Sequence, residues 1–283
     1  MRSGFLEMIN KLEDASCSYK QELFESDELF SSIPSTENLF SNNYLQQIEK
    51  NDLNFISNYF SLEFDASVLE GTAKTLYELS INTFDIILHA WMSELPIEAE
   101  IITFGRKVLN AANTGTLEEK RHAAELAAAD RGDANTLVVL KAAGKVYFEV
   151  HRMTGLLRFF PVGSEYIARC APDHFILPCL GEYFTERFGD TTWTIIDEKR
   201  GLFLRRPYGE KFKLVQEIAF TANSGAYSNT SGAYSEASDK DEWVDLWQHY
   251  HKTINNEDRS NPNLQRQLMP SRYWKYLPEI NTQ

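Results

Sequence analysis

Apolar residues recur at helical spacing across residues 69–109. Leu76, Leu79, Phe84, Ile87, Leu88 and Trp91 form one stripe, Pro96 interrupts it, and Ile101, Phe104 and Leu109 resume it. The spacing predicts two packed helices. An Ala-rich piece over 122–130 precedes a longer helical pattern from Asp133 to about His151, with Leu137, Leu140, Val146, Tyr147 and Val150 toward a core. Asp133 is placed to cap that helix through its side-chain oxygen, and Gly155 to stop it. Ahead of these elements, residues 1–66 are rich in Asn, Ser, Glu and Phe, are broken at Pro34, and space their apolar residues irregularly, with short helices expected, such as one over 43–60.

The texture then changes. Residues 156–160 and 166–170 are short β-prone runs joined by a turn at 161–164, which reads as a hairpin. Ile176, Leu180, Tyr183, Phe184 and Phe188 mark an amphipathic helix ending near Gly189. Two more strands are expected at Trp193–Asp197 and 202–205, either side of the charged turn Glu198-Lys199-Arg200-Gly201, and a further strand or helix start lies at 212–220. The order strand, strand, helix, strand, strand predicts an α+β fold, a small antiparallel sheet packed with N- and C-terminal helices. Residues 221–238 contain SGAYS twice and read as a flexible Ser/Gly/Tyr loop. A last helix opens at Asp241-Glu242-Trp243, with Trp243, Leu246, Trp247, Tyr250 and Ile254 as its apolar stripe. The expected organisation is an acidic segment 1–66, a core 67–220, the loop 221–238 and a helical cap 239–283.

Composition adds two constraints. Of 283 residues, 36 are Phe, Tyr or Trp and 24% are charged, so there is enough apolar surface to offset the entropy of ordering a folded chain. A net charge of −13 argues against nucleic acid, until it is divided. Residues 1–100 hold five Lys plus Arg against eighteen Asp plus Glu, which is the whole imbalance, while residues 151–213 hold ten basic and eight acidic residues. No run of about eighteen apolar residues suggests a membrane span, and the acidic N-terminus does not resemble a secretory or transit signal, so a cytoplasmic protein is expected. Cys17, Cys170 and Cys179 form no CxxC or zinc spacing and read as free thiols, with Cys170 and Cys179 as small packed residues; a catalytic thiolate at either would need a polarising neighbour. No metal or cofactor is signalled: P-loop, GxGxxG, GxSxG and HExxH are absent.

Two constellations carry candidate chemistry. His151 and Arg152 end a helix, Arg158 is expected in the following strand, and His174 sits in a loop before the next helix. These groups suit an anion pocket, with His151 and His174 as acid-base candidates; the cations equally complement a negative helix end. Glu149 lies two residues from His151 and so on another helix face, which sets that pair aside. In the second constellation, Arg259, Arg266, Arg272 and Lys275 are interleaved with Tyr273 and Trp274, a mixture that grips phosphates and stacks bases, or that glues a helical cap.

Three blocks are more specific than their composition: EVHRMTGLLRF at 149–159; APDHFILP at 171–178, continued by Tyr183-Phe184, Arg187-Phe188 and the IDEKR turn; and LWQHY at 246–250 through RSNPNLQR to MPSRYWKYLPE, ending at Glu279. Together they resemble a bacterial family labelled as DNA metabolism or DNA repair proteins. The resemblance covers residues 69–279 and weakens at the front. It implies genes encoded beside a radical-SAM DNA modification or repair protein, and in some members fusion to a uracil-DNA glycosylase-like domain. No CxxxCxxC cluster marks this chain as the radical-SAM enzyme itself. The expectation is an accessory protein of DNA repair or modification, binding damaged DNA or a radical-SAM or glycosylase-like partner through Arg152, Arg158, Arg259, Arg266, Arg272, Trp274 and Lys275. The alternatives are an enzyme acting on nucleotides or DNA through His151 and His174, and an interaction protein whose acidic N-terminus docks a basic partner.

Overall fold

The computed structural model describes residues 4–12, 50–61, 64–216, 242–256 and 260–280. Contacts divide the chain into two compact units: Met1–Val150 with Pro172–Cys179, and His151–Ala171 with Leu180–Gln283. The fold class is α+β. The first unit is helical, built from α1 (Phe5–Asn10), α2 (Lys50–Tyr59), α3 (Gly71–Leu79), α4 (Ile81–Met92), α5 (Glu98–Ala111), α6 (Leu117–Ala129) and the start of α7 (Ala134–Leu156). The stripe expected to make one helix before Pro96 makes two. Ser80 adopts an extended backbone, and its hydroxyl accepts the Thr83 N–H at 3.1 Å, so α3 ends and α4 begins without the apolar period losing phase.

Side chains set the starts of α6 and α7 as well. Thr116 and Glu119 form a reciprocal capping box that begins α6 five residues ahead of the Ala-rich piece. Asp133 accepts the Thr136 N–H at 2.8 Å at the start of α7, as its position predicted. The core of this unit is aromatic. Phe5 stacks on Phe55 with centroids 5.7 Å apart and meets the edges of Phe84 and Trp91, so the short α1 is held by ring contacts rather than by helix propensity.

The second unit carries a five-stranded sheet in the order β1 (Phe159–Val162), β2 (Glu165–Cys170), β3 (Trp193–Asp197), β4 (Leu202–Arg206), β5 (Lys213–Val215). The β1–β2 hairpin turns at Gly163 and Ser164, with Gly163 at φ 60°. The sheet is mixed rather than antiparallel: β2 and β3 run parallel, with Tyr166 opposite Trp193, while the other pairs are antiparallel. The cause is the connection between them, whose helical part returns the chain to the end of the sheet from which β2 started. That connection holds a 3-10 turn, Leu177–Leu180, and then α8 (Gly181–Phe188), where one helix was expected. β1 starts later than expected because α7 continues through Leu156. Residues 217–238, with the repeated SGAYS, lie outside the described residues.

The C-terminal elements are α9 (Glu242–Ile254), α10 (Pro262–Leu268) and a 3-10 turn, Ser271–Tyr276, that packs on β2. Tyr273 and Leu277 are buried, whereas Leu246, Tyr250 and Ile254 of α9 stay exposed. The β3–β4 turn holds this end. Asp197 and Arg200 form a buried ion pair at 2.8 Å, and the Asp197 carboxylate also accepts the Lys199 and Arg200 N–H groups. Glu198 accepts the Tyr276 hydroxyl at 2.7 Å and pairs with Arg169 and Lys275. The IDEKR turn is thus a structural fastener.

Two glycines respond oppositely to a methyl group. A Cβ at Gly181 would stand 2.5 Å from the buried Phe212 ring, whereas one at Gly144, inside α7, meets nothing within 4 Å. Urea unfolding should show Gly181→Ala destabilised by about 1–3 kcal/mol through overpacking. Gly144→Ala should be stabilised by about 0.5–1 kcal/mol through reduced backbone entropy.

Candidate functional site

In the helical unit, one carboxylate gathers a set of reactive side chains. Asp85 and His89 lie one turn apart on α4, His89 buried and Asp85 half-buried. His89 Nδ1 lies 2.8 Å from the Asp85 carbonyl oxygen and 3.3 Å from Asp85 Oδ1, both of them acceptors only. Nδ1 therefore carries the ring proton of a neutral His89, and Nε2 presents a lone pair. That nitrogen faces Cys179 Sγ at 3.9 Å. The His89 ring stacks on Tyr147 of α7 with centroids 4.0 Å apart and takes the edge of Phe60. Tyr147 and Tyr59 of α2 both donate their hydroxyls to Asp85, Tyr59 at 3.4 Å.

The electrostatics follow from burial around a single anion. Burial works to raise the Asp85 carboxyl, but hydrogen bonds from His89, Tyr147 and Tyr59 hold it below its ordinary value. The same burial, then the Asp85 charge, push both phenols up. Cys179 keeps partial exposure as a residue, yet its sulfur is enclosed enough that burial, followed by the Asp85 charge, raises the thiol well above its usual range. At neutral pH the site is one carboxylate surrounded by a protonated thiol and two protonated phenols.

Cys179 reaches His89 because Glu149 fixes the segment that carries it. The buried Glu149 carboxylate accepts the backbone N–H groups of Asp173 and His174, each at 2.8 Å. Met92 accepts the Phe175 N–H at 3.0 Å, and His174 Nδ1 sits 2.8 Å from the Ser93 carbonyl. Among the described residues no group of three or more His, Cys, Asp and Glu is arranged to hold a metal ion, and no helix is long and apolar enough to cross a membrane.

The residues singled out from the sequence fall in both units. His151 is exposed and Arg152 half-buried, both inside α7 rather than at its end. Arg158 lies in the connector before β1, not in the strand. Its guanidinium donates to Glu279 at 2.6 Å and to the Gly155 carbonyl at 2.7 Å, and stands 5.5 Å from the Trp247 ring centroid. His174 belongs to the other unit. Arg272, Trp274 and Lys275 share the last 3-10 turn, where Arg272 lies over the Tyr273 ring, Trp274 donates to the Met269 carbonyl at 2.9 Å, and Lys275 lies 3.7 Å from Glu198. Arg266 is exposed on α10, and Arg259 lies outside the described residues. The sequence reading passed over Tyr59, Asp85 and His89, although an Asp and a His at i, i+4 within an apolar stripe were visible. Tyr147 was expected toward a core, and Cys179 as a packed thiol unless a polarising neighbour stood beside it, which His89 does at 3.9 Å.

A family model for DUF4130, a domain of unknown function, matches residues 112–279, more than half of the chain. The chain belongs to the DUF4130 family. No curated protein and no solved structure matches it. The DUF4130 segment contains Tyr147, Glu149 and Cys179, while Tyr59, Asp85 and His89 come from helices ahead of it. It also contains every contact residue expected from the sequence.

Two stability measurements check these ties. Glu149→Gln retains the shape but turns an amide NH2 toward one of the two backbone donors, so urea unfolding should show a loss of about 1–3 kcal/mol, with faster hydrogen exchange at the His174 amide. For Glu279, burial acts upward, but the Arg158 hydrogen bond and charge, with further hydrogen bonds, bring the carboxyl below its ordinary value. A depressed folded value means that the pair stabilises the protein above the unfolded pKa, about 4.3, and loses that effect as pH falls through the folded value. Glu279→Gln should therefore flatten the acid limb of stability against pH by up to ~1.4 kcal/mol per pH unit.

Proposed function

We propose that this DUF4130 protein is an accessory factor of DNA repair or DNA modification that holds a DNA backbone on the exposed face of α7. The observation that carries this reading is the charge pattern of that helix. Lys141, Lys145 and Phe148 follow one another at steps of four and three residues, all exposed, and Arg152 takes the next place on the same face of the continuous helix. The acid on α7, Glu149, is buried and occupied by backbone N–H groups. The exposed charges of a long helix are thus all cationic, on a chain whose net charge is −13.

Lys141 and Lys145 stand about 6 Å apart along the helix axis. Burial and then the like charge of Lys141 lower the Lys145 ammonium from its ordinary value. An anion laid across both lysines relieves that repulsion, and a phosphate backbone supplies one anion after another. Phe148 offers an apolar ring beside them on which an unpaired base can stack. The family resemblance supports the choice of DNA over other polyanions, since it implies repair and modification genes and a radical-SAM enzyme as the accompanying protein. The acidity of the first hundred residues restricts the contact to a local one that weakens with salt.

Fluorescence anisotropy of the full chain with labelled duplex and single-stranded DNA tests the reading. Affinity should fall with salt at a slope of roughly two phosphate contacts, and Lys141→Glu with Lys145→Glu should weaken binding about tenfold or more without lowering Tm. Absence of binding by the wild-type chain at low salt, or equal binding by the double variant, would sink it.

A further inference from the structure

We propose that Cys179, His89 and Asp85 form a nucleophilic-thiol site that accepts an alkyl group from a carbon electrophile bearing a leaving group. The geometry supplies each part of that chemistry. His89 Nε2, the unprotonated nitrogen of the neutral ring, stands 3.9 Å from Cys179 Sγ and is placed to take its proton. Asp85 holds Nδ1–H from behind, fixing the tautomer and stabilising the imidazolium once the proton has moved. Tyr147, stacked on the ring, stops it from turning away. Burial and the Asp85 charge keep the thiol protonated at rest, so attack depends on a base at the sulfur rather than on a standing thiolate.

The choice of alkyl over acyl transfer comes from the donors around the sulfur. Both phenol protons are committed to Asp85, and the Cys179 N–H is bonded to the Ile176 carbonyl at 3.0 Å. These groups make no cradle for the oxyanion of a tetrahedral intermediate. Displacement at saturated carbon builds no oxyanion at the attacked centre. In that step Sγ forms a bond to carbon and the bond from carbon to the leaving group breaks. The leaving group departs with the electron pair, and the thiol proton passes to His89 Nε2 and from there to the leaving group or to water. The product is a thioether, so each chain reacts once unless another reaction removes the group.

Iodoacetamide serves as the probe, with alkylation of each cysteine followed by peptide mass spectrometry on the full chain. At neutral pH, Cys179 in the native protein should react at least as fast as it does in urea, whereas the buried Cys170 stays protected until unfolding. His89→Gln should slow Cys179 alkylation by about tenfold or more, and Asp85→Asn by roughly threefold or more, with unchanged rates for the urea-unfolded variants. The proposal is overturned if Cys179 reacts only after unfolding, or if a folded His89→Gln variant reacts at the wild-type rate. The native-to-urea comparison uses the wild-type chain alone and so decides the question even where a substitution prevents folding.

Discussion

The placement of Cys179 depends on one buried carboxylate. Glu149 is 2% exposed, and an anion so enclosed has to be matched by donors. Its donors include two consecutive backbone N–H groups, which no change of rotamer can withdraw. They fix residues 173 and 174 against α7, and the Met92 and Ser93 carbonyls fix the same stretch against α4. Pro172–Cys179 therefore belongs to the helical unit, although the residues on both sides of it build the sheet unit. A shift of that segment by one residue would take these two donors from the interior carboxylate and would also remove the sulfur from the imidazole.

Each unit is organised around a carboxylate that several donors share. In the helical unit it is Asp85, which collects Tyr59, Tyr147 and His89 from three helices. In the sheet unit it is Glu198, which collects Tyr276, Arg169 and Lys275 and ties the chain's last turn to the sheet. The partners differ in kind. Glu198 is met by two full cations and is neutralised. Asp85 is met by two phenols and an imidazole, so its charge persists and acts on the neighbouring sulfur. Neutralisation suits a fastener, and a persistent charge suits proton movement.

Local elements were legible where local patterns determine them. The β3–β4 pair was readable because alternation, a charged turn and β-branched residues agree over a few positions, and Asp133 because a cap acts within three residues. The break at Ser80 was not, since one extended residue leaves the apolar period of α3 and α4 in phase. The parallel pairing of β2 and β3 depends on where a helical connection returns, which no strand pattern contains. The Cys179 cluster was least legible of all: its sulfur and imidazole are 90 positions apart in the chain, and the Glu149 contacts that bring them together involve backbone groups, which carry no residue signature.

The same distinction limits what a count of charges can say. Residues 151–213 carry ten cations against eight anions, which reads as a basic surface. Folded, much of that charge faces protein: Arg200 is buried on Asp197, Arg206 donates to the Gly189 carbonyl and pairs with Asp190, Arg169 meets Glu198, Arg205 meets Glu165, and Arg158 meets Glu279. The guanidinium fork suits such internal ties, because it fills several acceptors at once in a fixed geometry. Lysine, a strongly hydrated point charge on a flexible stem, suits them less well, and Lys141 and Lys145 are exposed on α7. The arginines that make up most of the cations of residues 151–213 are therefore weaker pointers to a polyanion surface than two lysines one helical turn apart.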